Sequence, residues 1–281
     1  DGLGAIFPAM VNAHEALMVT GHDASSADFV RTREALKRLI VLKDDVAYVQ
    51  PCVSPVWDTA LACLASQQAS GLNDEQTVLR ALDWLVECQL SDEPGDWREN
   101  RPHLKGGGWP FQYENPHYPD VDDTAAVGWA MHQADPVRYA EPIERAAHWV
   151  AGMQSSNGGF AAFDVDNTYY YLNEIPFADH GALLDPPTAD VTARCISFLA
   201  LDGPKTYATH IERAIEFLLA EQEPSGSWFG RWGTNYVYGT WSVLTALELA
   251  GFPREHQSMR RAVNWLESIQ RDDGSWGESN D

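Results

Sequence analysis

Four copies of one pattern partition the chain, and this repetition limits its possible folds more than any other feature. Arg80-Ala81-x-x-Trp84-Leu85-x-x-x-Gln89 runs into Gly95-Asp96-Trp97, and Arg145-Ala146-x-x-Trp149-Val150-x-x-x-Gln154 into Gly158-Gly159-Phe160. Arg213-Ala214-x-x-Phe217-Leu218-x-x-x-Gln222 leads to Gly226-Ser227-Trp228, and Arg261-Ala262-x-x-Trp265-Leu266-x-x-x-Gln270 to Gly274-Ser275-Trp276. The glutamines lie 65, 68 and 48 residues apart, and six of the eleven tryptophans belong to the pattern. So many matched positions define a structural repeat.

Each copy reads as a helix closed by a glycine loop, whose aromatic is expected to stack back over the glutamine amide. Val78, Leu82, Leu85 and Val86 recur at helical spacing, as do Ile211, Ile215, Leu218 and Leu219. Pro142 stands where a first-turn proline belongs. Further helical stretches, Thr124 to Ala134, Val191 to Leu201 and Tyr238 to Leu249, lie between the copies. One helix pair cannot bury its apolar face alone, so stacked pairs predict an all-α protein, an α/α toroid. No run alternates as a strand. Gly2 to Thr20 and Phe29 to Leu42 also read as helices but carry no repeat, and Gln50-Pro51 marks a boundary. Residues 1–50 are therefore read as the tail of a preceding domain, and residues 51–281 as the toroid.

Composition removes several functions. With 41 acidic and 19 basic side chains the net charge is −22, the wrong sign for a sequence-blind nucleic-acid binder or for electrostatic docking on anionic lipid. Hydrophobic docking is untouched by that argument. Apolar residues make up 44% of the chain, enough for a large core, yet no run reaches the roughly 18–20 residues of a membrane span. The four cysteines, at 52, 63, 88 and 195, form no CxxC, and no histidine pair has zinc spacing. Scattered thiols suit a reducing compartment. The start at Asp1-Gly2-Leu3-Gly4, without Met or signal peptide, reads as a piece of a longer protein.

The densest acidic run, Asp120-Val121-Asp122-Asp123-Thr124, follows the aromatic stretches Trp109-Pro110-Phe111-Gln112-Tyr113 and His117-Tyr118-Pro119. Buried together, three such carboxylates cannot all ionise, and like charge leaves one protonated at neutral pH. Taken alone the run reads more simply as a capped helix start, and the two readings are compatible. Asp164-Val165-Asp166-Asn167 opens like a calcium loop, but Tyr169 replaces the glycine and Ile175 the closing glutamate, so it reads as a turn. Asp190 and Arg194 lie four apart on a helix and read as a surface ion pair. P-loop, GxGxxG, GxSxG and HExxH motifs are absent from the sequence.

Together the Gln…Gly-x-Trp repeats and Asp120-Val121-Asp122-Asp123 resemble the class II triterpene cyclases, most closely those of the bacterial squalene–hopene type. Ser54-Pro55-Val56-Trp57-Asp58-Thr59, Gly107-Gly108-Trp109, Ile175-Pro176-Phe177, Asp185-Pro186-Pro187 and Gly230-Arg231-Trp232-Gly233-Thr234-Asn235-Tyr236 agree as well. The likeness covers essentially the whole chain and implies the middle of a longer one. Residues 1–50 would end a preceding α/α barrel, and residues 51–281 would form a large part of the barrel with the acid motif.

The resemblance implies an isomerase that protonates the terminal double bond of squalene or a related polyprene and drives cationic cyclisation to hopene. A hydratase/lyase outcome giving hopanol stays open. Asp122 maps to the proton donor, with Asp120 and Asp123 holding and tuning it. An alkene is a very poor base, so a desolvated acid fits the task. Trp57, Phe111, Phe163, Trp232 and Tyr238 map to the aromatic cavity, with Asp58, Phe177 and Asp190 nearby. Cation–π contact supplies about 2 kcal/mol or more when desolvated. Arg194 stands where a histidine supports the acid; arginine cannot pass a proton but can lower the Asp122 pKa. Phe7-Pro8 replaces a frequent Gln-Pro pair. No metal and no cofactor is implied. Peripheral, monotopic contact with the cytoplasmic side of a bacterial cell membrane and a homodimer are. Three rivals share parts of this pattern: an (α/α) glycosidase, which needs two separated carboxylates, a zinc-dependent prenyltransferase-type barrel, and a toroid used only as a binding scaffold.

Overall fold

A computed structural model describes residues 6–69, 75–113, 115–167, 169–175 and 184–279. Two helices open it, α1 (Phe7–Val19) and α2 (Ala27–Arg38). Ser26 caps α2 by accepting from Phe29 N, and Asp28 in the first turn with Lys37 and Arg38 in the last complement the helix dipole. The helix expected to run to Leu42 ends at Arg38. Ile40–Lys43 (β1) and Val46–Val49 (β2) instead pair antiparallel around Asp44, whose φ is 45°. Aliphatic and β-branched side chains crowd a helix and suit a hairpin. Alternation is invisible because Ile40, Leu42, Val46 and Tyr48 are all exposed. Met10, Ala35 and Leu39 form a small core of their own in this segment.

The repeats form helix pairs. Inner helices α3 (Pro55–Gln68), α5 (Val121–Ala134), α7 (Ala189–Asp202) and α9 (Asn235–Leu249) pack in succession, α3 on α5, α5 on α7 and α7 on α9. Outer helices α4 (Glu75–Cys88), α6 (Ala140–Gly152), α8 (Ala208–Ala220) and α10 (Gln257–Ile269) each pack behind the inner helix that precedes them. The outer helices are amphipathic, burying Val78, Leu82 and Leu85 in α4 and Ile211, Ala214, Phe217 and Leu218 in α8. Every residue from Val121 to Met131 and from Ala189 to Ala200 is buried, so α5 and α7 lie at the centre of the core. The protein is all-α, with a second small hairpin of β3 (Trp109–Pro110) and β4 (Pro119–Asp120) beside α5.

The repeated glutamine is a clamp between consecutive outer helices. Gln154 Nε2 donates to Gly158 O and to His210 O, both at 2.8 Å, and Gln222 Nε2 donates likewise to Gly226 O and Ser258 O. Gln154 Oε1 accepts from Arg213 Nη1 of the next copy at 3.1 Å. Gly158 has φ 91°, and a Cβ there would stand 2.4 Å from Arg213 O, so the turn admits only glycine. The aromatic is anchored by its indole: Trp228 Nε1 donates to Leu218 O at 2.6 Å, and Trp276 Nε1 to Leu266 O at 2.9 Å. In the first copy that place belongs to Trp109, whose Nε1 donates to Leu85 O, while Gln89 Nε2 donates to Gly107 O. Trp97 packs edge-on against Trp149 at 5.8 Å instead. An inserted segment puts Gly107 eighteen residues after Gln89, where the other copies take four. Gly95-Asp96-Trp97 inside that insertion imitates the motif.

Buried threonines tie each loop to the next inner helix. Thr124, Thr192 and Thr240 Oγ1 accept from the backbone N–H of Trp109, Phe160 and Trp228, each at 2.9 Å.

Candidate active site

Hairpin β3–β4 delivers Asp120 to the start of α5, where the three aspartates part ways. Asp120 Oδ1 accepts from Asp122 N at 2.8 Å and Asp123 N at 3.1 Å, so it is the helix cap. Its backbone carbonyl accepts from Thr124 Oγ1 at 2.6 Å, and Val121 N donates to Ala162 O at 2.7 Å. The capping reading and the acid-cluster reading therefore hold together. Asp122 and Asp123, released from capping, face a cavity of about 620 Å3 that all three aspartates help to line. Its other wall is aromatic and apolar: Trp57, Phe111, Phe163, Trp232, Ala162 and Ile6.

Arg194, on α7, donates from Nε to Asp122 Oδ1 at 2.6 Å, with both side chains buried. Its Nη2 donates to Tyr238 Oη at 3.0 Å, and its guanidinium lies 4.9 Å from the Trp57 ring centre. The expected Asp190–Arg194 surface pair is thus replaced by a buried pair with Asp122. Asp190 is buried too; Oδ1 accepts from Thr188 Oγ1 at 2.6 Å and Oδ2 from Trp232 N at 2.8 Å. Helical spacing allowed the surface pair, but α7 has no surface at this point.

Burial raises the Asp122 carboxyl above the usual carboxylate range, Arg194 opposes that rise, and Asp190 adds to it. Asp120 and Asp123 are pushed well up by burial first and by the charge of their neighbours next. Among the described residues Asp123 Oδ1 is buried without a hydrogen-bond partner, the situation of a carboxyl that keeps its proton. Tyr238 is pushed up to about 12, chiefly by burial, so its hydroxyl stays protonated. Arg194 remains charged. The arrangement is a desolvated carboxylic acid whose conjugate base meets a fixed cation, opening on π faces.

The structure brings together Asp120, Asp122, Asp123, Asp190, Arg194, Trp57, Phe111, Phe163, Trp232 and Tyr238. Phe163 and Trp232 meet edge-on at 6.4 Å. Asp58 sits in the first turn of α3, held by Ser54 Oγ at 2.9 Å; it is exposed and acts on Asp123 through its charge. Phe177 lies outside the described residues. Asp164 and Asp166 form the expected turn, with Asp166 at φ 55° accepting from Ser156 N at 2.7 Å. Sequence reasoning missed Gln112, Asn115 and Tyr118 on the polar side of the cavity. It also missed the bond of Thr124 to the Trp109 backbone, for which the recurrence at Thr192 and Thr240 in α7 and α9 was the available signal.

Known proteins resemble this chain along most of its length. The sequence model of the squalene-hopene cyclase C-terminal domain matches residues 53–281. The squalene–hopene cyclase of Zymomonas mobilis subsp. mobilis is 48% identical over 100% of this chain and 44% of its own. A probable squalene–hopene cyclase of Sinorhizobium fredii is 50% identical over 99% of this chain and 44% of its own. The chain therefore spans less than half the length of these relatives. Among solved structures, ent-copalyl diphosphate synthase from Streptomyces platensis superposes with a TM-score of 0.59 at 24% identity, covering 91% of this chain and 41% of that one. That likeness supports the fold.

Proposed function

The chain belongs to the squalene–hopene cyclase C-terminal domain family, and from that membership we propose that it carries the acid half of a polyprene cyclase. Asp122 transfers its proton to the terminal double bond of squalene or a related polyprene. The neighbouring π bonds then attack in turn, forming ring C–C bonds and moving the cation along the chain. Loss of a proton from the last cation gives hopene, an isomer of the substrate; capture of water followed by loss of a proton from its oxygen gives hopanol. No electron is gained or lost overall.

The observation that carries this reading is Asp122, buried at the rim of an aromatic cavity and joined to Arg194 at 2.6 Å. Arg194 stabilises the carboxylate that remains after transfer and so strengthens the acid. The wall away from the aspartates is built of rings, which suits a cation that an anion would trap. The glycosidase alternative is not favoured, because all three carboxylates share one helical turn instead of facing each other across a sugar cleft.

Supply of so apolar a substrate supports peripheral contact with a lipid bilayer, in bacteria at the cytoplasmic face of the cell membrane. Among the described residues no helix is long and apolar enough to cross a membrane. The separate small core of Met10, Ala35 and Leu39 supports reading residues 1–50 as the end of a preceding α/α barrel.

The test is incubation of the full-length protein with squalene and mass analysis of the lipid extract. Wild type is expected to yield a pentacyclic product and Asp122→Asn none, with the fold intact. Near wild-type turnover by Asp122→Asn removes the assignment.

A further inference from the structure

Asp185 adds its charge to the rise at Asp120, and its carboxylate also grips one wall of the cavity. Oδ2 accepts from Phe163 N at 2.6 Å and Asp164 N at 3.0 Å, and Oδ1 accepts from Ala162 N at 3.3 Å. Three consecutive backbone N–H groups on one carboxylate fix the path of the segment that presents the Phe163 ring. That segment is anchored at its other side to the acid helix, through Val121 N to Ala162 O at 2.7 Å.

Asp185 is itself held in place. Pro186 and Pro187 follow it and fix the backbone. The preceding residue, Leu184, is buried, and its carbonyl accepts from Arg231 Nη2 at 3.0 Å. Arg231 precedes Trp232, whose N–H is held by Asp190 at 2.8 Å. Segment 184–190 therefore ties the backbones of both Phe163 and Trp232, the two rings that meet edge-on at 6.4 Å.

We propose that Asp185 is a positioning residue which sets where Phe163 stands against Trp232 and thereby how far cyclisation runs before the cation is lost. The proposal rests on the cyclase reading. Cation–π attraction holds only within about 6 Å of a ring centroid, so a wall displaced by an ångström loses stabilisation while proton loss from the cation continues. In Asp185→Asn one acceptor oxygen becomes an NH2 donor facing backbone N–H groups. The Phe163 segment must then shift.

The experiment compares wild type, Asp185→Asn, Phe163→Ala and the double variant in the full-length protein supplied with squalene, reading the ratio of early-terminated to complete products. Asp185→Asn is expected to raise that ratio about tenfold, equivalent to roughly 1.4 kcal/mol of lost discrimination. It should give the same early products as Phe163→Ala, and the double variant should be no worse than Phe163→Ala alone, because Asp185 acts through that ring. Where Asp185→Asn does not fold, Asp185→Glu carries the test, with a smaller shift toward the same products. An unchanged ratio, additive effects in the double variant, or different early products overturn the proposal. Absence of any cyclised product from wild type strikes the cyclase reading instead.

Discussion

Arg194 Nε donates to Asp122 Oδ1 at 2.6 Å across 72 residues of sequence, and the same guanidinium donates to Tyr238 on the next inner helix. One buried cation thus joins α5, α7 and α9 at the acid. Burial and Arg194 push the Asp122 carboxyl in opposite directions.

Replacing Arg194 by Gln removes the opposing charge and leaves burial and the Asp190 charge unopposed. The Asp122 pKa then rises, the acid weakens, and its protonated form persists to higher pH. Activity of wild type is expected to fall as rising pH strips Asp122 of its proton. In Arg194→Gln that fall moves to higher pH while the maximal rate drops roughly 100-fold, the scale of a lost acid-strengthening contact. A profile of kcat/KM against pH checks both; a fall displaced to lower pH contradicts the argument.

Trp232 and Phe111 line the cavity with the acid. Truncating either to Ala is expected to give partly cyclised terpenes, because an unstabilised cation loses its proton early. Gas chromatography of the lipid extract distinguishes this from the alternative, a raised KM with the complete ring system unchanged.

The repeat residues act on stability. Trp228 is fully buried and hydrogen-bonded to Leu218 O, so Trp228→Ala should cost about 3–5 kcal/mol. Gln222→Ala cuts one bond to its own glycine loop and one to the next outer helix, and should cost roughly 1–3 kcal/mol. Thermal unfolding measures both, and a product change without loss of stability would show a different role.

Stability should also depend on pH through Asp123. Its native carboxyl binds a proton more tightly than in the unfolded chain, because burial and then Asp120 raise it. The native state therefore holds more protons, and this contribution is complete below about pH 4 and lost as pH rises through the native value. Asp123→Asn removes it. The denaturant midpoint of wild type should fall more between mildly acidic and neutral pH than that of the variant; equal falls would mean that Asp123 ionises freely.

Much of this was legible in the residues. Four arginine–glutamine copies at helical spacing establish the helix pairs, since apolar periodicity is a local property. The aspartate run marks a capped helix start, since capping chemistry is local as well. Trp109 escaped because the insertion after Gln89 carries a closer imitation, Gly95-Asp96-Trp97, and chain distance cannot say which loop returns to the glutamine. The hairpin at Ile40–Val49 escaped because both of its faces are apolar.

The amino-acid sequence by itself determined the repeating helical architecture, the chemical type of the site and the turn on which its three carboxylates stand. Only the tertiary structure decided which carboxylate caps the helix and which faces the cavity, and that Arg194 serves Asp122 rather than Asp190. Within one turn the three aspartates are chemically alike. What separates them is the approach of β3–β4 from one side and of α7 from the other, and those directions are set by packing between segments far apart in the chain.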